Sequence, residues 1–273
     1  MFSNAGMVLG GVGLWGASWT GGHADNSGTV TGVKFAAVHL AAGSNTTLTN
    51  TCVLSGVLGI ELRAATAHVF NSGLIFATTE DRAAGDGAQS NLGFSLRNSG
   101  NVSGPVKAIA RYAFADFIMS SGMIEGSVNL GAGADQFLGR TGTLDSQISG
   151  GDGNDLIRSG RGDDVILAGT GNDTVAGNLG DDTLTGGLGS DVLLFNRNGG
   201  NDVVQDFAHA QDFAHAVDKV NLQAFHFASF ADVSGLLHSH VGGVNLDLTA
   251  RHGNTIDFVG LTLALLTAGE FLL

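Results

Sequence analysis

The stretch Gly150–Leu194 reads GGDGNDLIR SGRGDDVIL AGTGNDTVA GNLGDDTLT GGLGSDVLL, five nine-residue blocks in unbroken succession. Each block has Gly at its fourth place and Asp at its sixth. The eighth place is always apolar: Ile157, Ile166, Val175, Leu184 and Leu193. A glycine-rich turn of six residues followed by a three-residue strand accounts for this period. Two blocks then close one coil of about 18 residues, and coils stack at the ~4.8 Å strand spacing. Aspartates two blocks apart fall on one edge: Asp155, Asp173 and Asp191 on the first, Asp164 and Asp182 on the second.

Two bare carboxylates about 5 Å apart repel by roughly 0.8 kcal/mol in bulk water, and more strongly in a shielded turn. Such columns need a cation between coils. Carboxylate and carbonyl oxygens suit Ca2+, which takes about 6–8 oxygens at ~2.3–2.6 Å in irregular geometry. Glycines at positive φ let backbone carbonyls reach the ion. Solvated turns rich in Asp, Asn and Gly would explain one such block. They do not explain five in phase.

The nonapeptide is a known signature and is identified as the calcium-binding repeat of the RTX (repeats-in-toxin) family. That resemblance implies a parallel β-roll in which Ca2+ is held by Asp155, Asp164, Asp173, Asp182 and Asp191. It also implicates the turn carbonyls of Gly151, Gly153, Gly160, Gly162, Gly169, Gly171, Gly180, Gly187 and Gly189. Weaker blocks extend the array. LGAGADQFL, from Leu130 to Leu138, adds Asp135; the segment 139–149 breaks the period, which makes Asp145 a poor ligand; Gly200–Val204 resumes it with Asp202. Roughly four to six ions are expected.

Composition agrees with a solenoid. The 273 residues include 44 Gly and a single Pro, a usage that suits turns and short strands rather than helices. Net charge is −13. Residues 131–206 hold twelve Asp and four Arg with no Glu, a local balance of −8. Nucleic acid and acidic membrane surfaces are poor partners for such a face. The lone cysteine, Cys52, allows no intrachain disulfide and reads as a small buried side chain. No apolar stretch is long enough for a transmembrane segment, and the start MFSNAGMVLGGVGLWGASW lacks the basic n-region of a signal peptide.

Residues 1–129 carry a second repeat of the form Asn-x-Gly-x-apolar-x-Gly. Copies start at Asn4, Asn26, Asn50, Asn71, Asn98 and Ser120, and place Val8, Val30, Leu54, Ile75, Val102 and Ile124 at one inward position. A period near 22 residues predicts parallel β-helix coils, with asparagines stacked as an amide ladder. The segment resembles the right-handed parallel β-helix passenger repeats of bacterial secreted proteins. The fold expected is therefore all-β: a β-helix over 1–129, continuing into a calcium-binding β-roll over 130–205, then a small β-rich cap over 206–273.

The segment VVQDFAHAQDFAHAVDKVNLQAF, from Val203, resembles an RTX C-terminal cap; its tandem QDFAHA leaves Asp206 and Asp212 as alternatives for the cap aspartate. A short helix is expected over Ser229–His240, with strands at Val244–Thr249 and Thr255–Val259. The ending Glu270-Phe271-Leu272-Leu273 resembles an uncleaved type I secretion signal. This implies export through the type I secretion apparatus and an extracellular, cell-surface-associated location.

No His-Glu-x-x-His or Gly-x-Ser-x-Gly motif occurs. The charged groups of the first half are Glu61 with Arg63, Glu80-Asp81-Arg82 with Asp86, and Arg111 with Asp116; they read as solvated charges on excursions between repeats. The tail histidines His209, His215, His238, His240 and His252 form no metal motif. The reading is a secreted calcium-binding structural protein of the surface, matrix or adhesion type, with a glycan or cell-surface ligand as partner class. The alternative is a polysaccharide lyase or epimerase that carries an RTX module.

Overall fold

The computed structural model describes residues 2–4, 7–10, 14–16, 22–40, 46–62, 67–77, 82–86, 94–110, 114–144, 147–207, 217–251 and 255–273. Within these residues 28 strands join in one sheet, wound as a parallel β-solenoid. One ladder of parallel strands runs Gly22–Asn26, Thr46–Asn50, Ala67–Asn71, Phe94–Asn98, Phe117–Ser120, Gln136–Leu138, Leu156–Arg161, Thr174–Leu179, Val192–Leu194. A second ladder runs from Met7–Gly10 through Asn101–Ala110, Met123–Ala132, Gln147–Asp152, Val165–Thr170 and Thr183–Leu188 to Asn201–Val204.

The inward positions follow from strand alternation, since every second side chain faces the lumen. Val30, Leu54, Ile75, Val102 and Ile124 are buried in one column, and Ile157, Ile166, Val175, Leu184 and Leu193 are buried in the roll. Apolar residues at a fixed place in each repeat thus fill a single continuous core.

The expected amide ladder is present at the corner between the two ladders. Asn26 Nδ2 donates to Asn50 Oδ1 (2.8 Å), Asn50 to Asn71 (2.7 Å), Asn71 to Asn98 (2.7 Å), and Asn98 to the Ser120 hydroxyl (3.1 Å). Each amide carries donors and acceptors, so a buried stack satisfies itself.

Several local expectations are corrected. The segments between Asn-x-Gly copies are not all loops: Glu61 lies on Val53–Leu62 and Arg82 and Asp86 on Arg82–Asp86, strands that pair with one another. Arg63, Glu80, Asp81 and Arg111 fall outside the described residues. Cys52 is half-buried rather than buried. The tail helix is shorter than expected: it spans Phe230–Ser234, opened by a capping box between Ser229 and Asp232 and ended at Gly235. Leu237–His240 is instead a strand, antiparallel to Gly243–Asp247. A flexible glycine and the pairing available across Val241-Gly242 override the apolar helical spacing.

The ladder yields a quantitative expectation. Asn71→Ala leaves the Asn50 and Asn98 amides each short of a partner, and should lower unfolding free energy by about 1–3 kcal/mol in urea melts. Ser72→Ala, at the exposed neighbour, should change it by less than about 0.5 kcal/mol.

Candidate metal centre

Each nonapeptide turn owes its shape to two residues with positive φ, at the second and fourth places. Gly151 (109°) and Gly153 (130°), Gly160 (138°) and Gly162 (97°), Gly169 (121°) and Gly171 (125°), and Gly187 (98°) and Gly189 (137°) all conform. In the fourth block Asn178 (75°) takes the second place before Gly180 (133°), as the side chain that best tolerates this region. Close stacking adds a second demand. A methyl group on Gly171 would sit 2.0 Å from the Gly153 carbonyl oxygen, and one on Gly189 would sit 1.8 Å from that of Gly171. Carbonyls of one coil therefore point into space that only glycine leaves free in the next. Among the described residues, the Gly153 and Gly171 carbonyls accept no backbone hydrogen bond.

The sixth-place aspartates form two columns, as their spacing predicts, but they are buried rather than edge-exposed. Asp155, Asp164, Asp173, Asp182 and Asp191 are each at most 3% accessible. In the first column each carboxylate accepts a hydrogen bond from the aspartate amide of the preceding coil. Asp135 donates to Asp155 Oδ1 (2.8 Å), Asp155 to Asp173 (2.7 Å), Asp173 to Asp191 (2.8 Å) and Asp191 to Asp218 (2.9 Å). The second column repeats this from Asp164 to Asp182 (2.8 Å) and from Asp182 to Asp202 (3.1 Å). The other oxygen has no such partner: Oδ2 of Asp155, Asp173, Asp182 and Asp191, and both oxygens of Asp164, are buried without a hydrogen bond. The Ser159 hydroxyl adjoins Asp164 but donates to the Gly177 carbonyl (2.6 Å).

These orphaned oxygens have an electrostatic consequence. Burial raises the Asp164, Asp173 and Asp202 carboxyls to about 7 and Asp182 to about 6, with neighbouring carboxylates adding to the rise. Asp155 and Asp191 are raised as well, by burial first.

The columns extend beyond the regular blocks. Asp116 is 3% accessible, and its Oδ1 accepts the Phe94 amide (2.6 Å) while its own amide donates to Asp135 Oδ1 (2.6 Å). It is thus a rung of the first column and not a solvated loop charge. The signal was present but damaged: Arg111–Met119 reads RYAFADFIM, with Asp sixth and Ile118 eighth, but with Phe114 at the glycine place. Phe114 nevertheless adopts φ 74°. A further ladder at the fifth place was not foreseen. There the Asn172 amide donates to Asn154 Oδ1 (2.7 Å), Ser190 to Asn172 (2.8 Å), and Asp181 to Asp163 (2.8 Å). Its bonds run opposite in direction to those of the sixth place.

At the cap, Asp206 accepts the Gly186 (2.9 Å) and Gly187 (2.7 Å) amides. Asp212, His209, His215 and His252, like Asp145, lie outside the described residues. His238 and His240 share a strand, and His240 pairs with Asp257 (2.6 Å). Among the described residues, no three His, Cys, Asp or Glu side chains converge on one point. An ion in the roll would therefore draw on backbone carbonyls as well as carboxylates.

A family profile described as the RTX calcium-binding nonapeptide repeat (4 copies) matches residues 141–175, 159–193 and 167–204. Residues 141–204 are RTX repeats. No curated protein matches the chain. The RTX segment contains all five regular blocks, Gly150–Leu194, and both carboxylate columns at their most regular, and it is a calcium-binding β-roll.

The raised carboxyls set the pH behaviour of the metal-free roll. Their folded-state values lie above the ordinary 3.8, so the closed form binds more protons than the open chain. The resulting stability is complete below about pH 4 and is lost as pH rises through about 7. In chelator, circular dichroism should report more β structure at pH 5 than at pH 8.

Proposed function

We propose that this is a secreted protein whose roll closes on calcium outside the cell, and that its solenoid then serves as a surface, matrix or adhesion structure. The observation that carries the reading is the set of buried, partnerless carboxylate oxygens of Asp155, Asp164, Asp173, Asp182 and Asp191, stacked over glycine turns in which the Gly153 and Gly171 carbonyls accept no backbone hydrogen bond. A buried carboxylate without a counter-charge is costly. Ca2+ would supply that charge and accept the carbonyl oxygens of Gly151, Gly153, Gly160, Gly162, Gly169, Gly171, Gly180, Gly187 and Gly189. Asp135 and Asp202, on the same columns, would extend the array, for about four to six ions in all. Residues 130–205 form the metal-dependent part and 206–273 its cap.

Export fits the same chemistry. At the low free calcium of a cytosol the charged turns stay open, and at the millimolar levels outside they close, in line with ~10⁻⁴–10⁻³ M affinities of extracellular modules. No helix among the described residues is long and apolar enough to cross a membrane. The C-terminal residues Phe271–Leu272 pair with Lys219–Asn221, and Glu270 is buried. The open chain alone would then present that ending to a type I exporter. For the alternative class, lyase or epimerase, Asp116 is engaged as a structural rung, which weakens it as an acid or base.

Titrating calcium into chelated protein at pH 8 should raise far-UV β signal. Asp173→Ala should shift the midpoint upward by about tenfold, and Asp135→Ala by less, because Asp135 faces the turn in which Phe114 replaces glycine. Full β signal in excess chelator, or equal midpoints for the two variants, would contradict the assignment.

A further inference from the structure

The outward positions of the first ladder stack in register on one flank: Phe70 beside Arg97, Arg97 beside Met119, Met119 beside Leu138, and Leu138 beside Arg158. Arg97 and Arg158 stand three coils apart, about 14 Å at the ~4.8 Å strand spacing. Between them Arg140 projects from a turn where it adopts φ 45°. A groove of about 310 Å³ lies over Phe70, Arg97, Met119 and Arg140, and a second of about 440 Å³ continues from Arg140 to Arg158. Ser72, Ser99 and Ser121 rim the first.

All three arginines are exposed. Among the described residues none of them meets a carboxylate, although the chain carries a net charge of −13. The sixth-place aspartates of the roll are turned into the buried columns, and the exposed Asp152, Asp163 and Asp181 form no ion pair with these arginines, so cations and anions are segregated rather than paired. An uncompensated row of guanidinium groups makes the groove locally positive. Their planar forks match carboxylates in two-pronged hydrogen bonds. Phe70, 41% exposed, with half-buried Met119 and Leu138, gives an apolar bed between the charges.

We propose that this flank binds a linear carboxylated polysaccharide laid along the solenoid axis. Its carboxylates meet Arg97, Arg140 and Arg158, its apolar ring faces lie over Phe70 and Met119, and its hydroxyls reach the serine rim. A nucleic acid fits less well, because a phosphate at every nucleotide meets the acidic remainder of the surface. The groove contains no aspartate of the columns, and Gly160 alone of the turn glycines named for calcium lines it, so this inference goes beyond the calcium reading.

The test is calorimetric titration of the calcium-loaded full chain with a galacturonic acid decamer, a neutral glucan of equal length and a ten-nucleotide DNA strand. The uronate should bind at least about tenfold more tightly than either competitor. Arg97→Ala, Arg158→Ala and Arg140→Asn, the last chosen because Asn tolerates the left-handed turn, should each weaken it by about tenfold. Arg197→Ala, outside the groove, should leave it unchanged. Glucan binding equal to uronate, DNA binding tighter than uronate, or unaltered affinity in the three groove variants would overturn the proposal. Unaltered affinity is also what calcium bridging between uronate and aspartates would give. Calcium-dependent circular dichroism of each variant, recorded in parallel, separates loss of the groove from loss of the fold.

Discussion

A carboxylate is acceptor-only when ionised, and this fold buries one at every nonapeptide turn. One oxygen of Asp155, Asp173, Asp182 and Asp191 is satisfied by an amide from the adjacent coil, which fixes the register of the stack, while Asp164 has neither oxygen bonded. The second oxygen faces protein interior with nothing to bond. Each coil is held in place by a group that is itself unstable there as an anion. Either protons or metal ions must neutralise it, and the repeat family matched by this segment binds calcium.

The contrast between the two halves makes the point sharper. The corner between the two ladders is built from Asn-x-Gly in the first half and from glycine and aspartate in the roll. An asparagine amide donates and accepts, so Asn26, Asn50, Asn71 and Asn98 complete one another. Aspartate in the equivalent corner, as in Asp164 and Asp182, cannot. One continuous sheet therefore joins a self-sufficient solenoid to one that responds to its ionic surroundings. At its far end Asp206 on the Gly186 and Gly187 amides and the edge-on contact of Phe207 with Phe258 (5.3 Å) close the stack.

Most of this architecture is legible in the sequence, because a solenoid repeats one local solution and each copy confirms the others. Gly171 and Asp173 are readable since the same places recur in every block. What escapes is what does not repeat. Asp116 was hidden by Phe114 in a glycine position, and the fifth-place ladder by its mixed Asn, Asp and Ser composition. Strands such as Arg82–Asp86 lie between copies of irregular length, and nothing local marks them. The alignment of Arg97, Arg140 and Arg158 arises from coils of unequal length and is visible only once the strand register is known.

The central claim concerns the amides that hold the columns together, and hydrogen exchange reads them directly. Peptides spanning residues 147–194 should exchange slowly at pH 8 in excess calcium and at nearly open-chain rates in excess chelator, while peptides from the asparagine ladder stay protected in both. Equal protection of the 147–194 peptides with and without calcium would show that the buried carboxylates close the roll unaided.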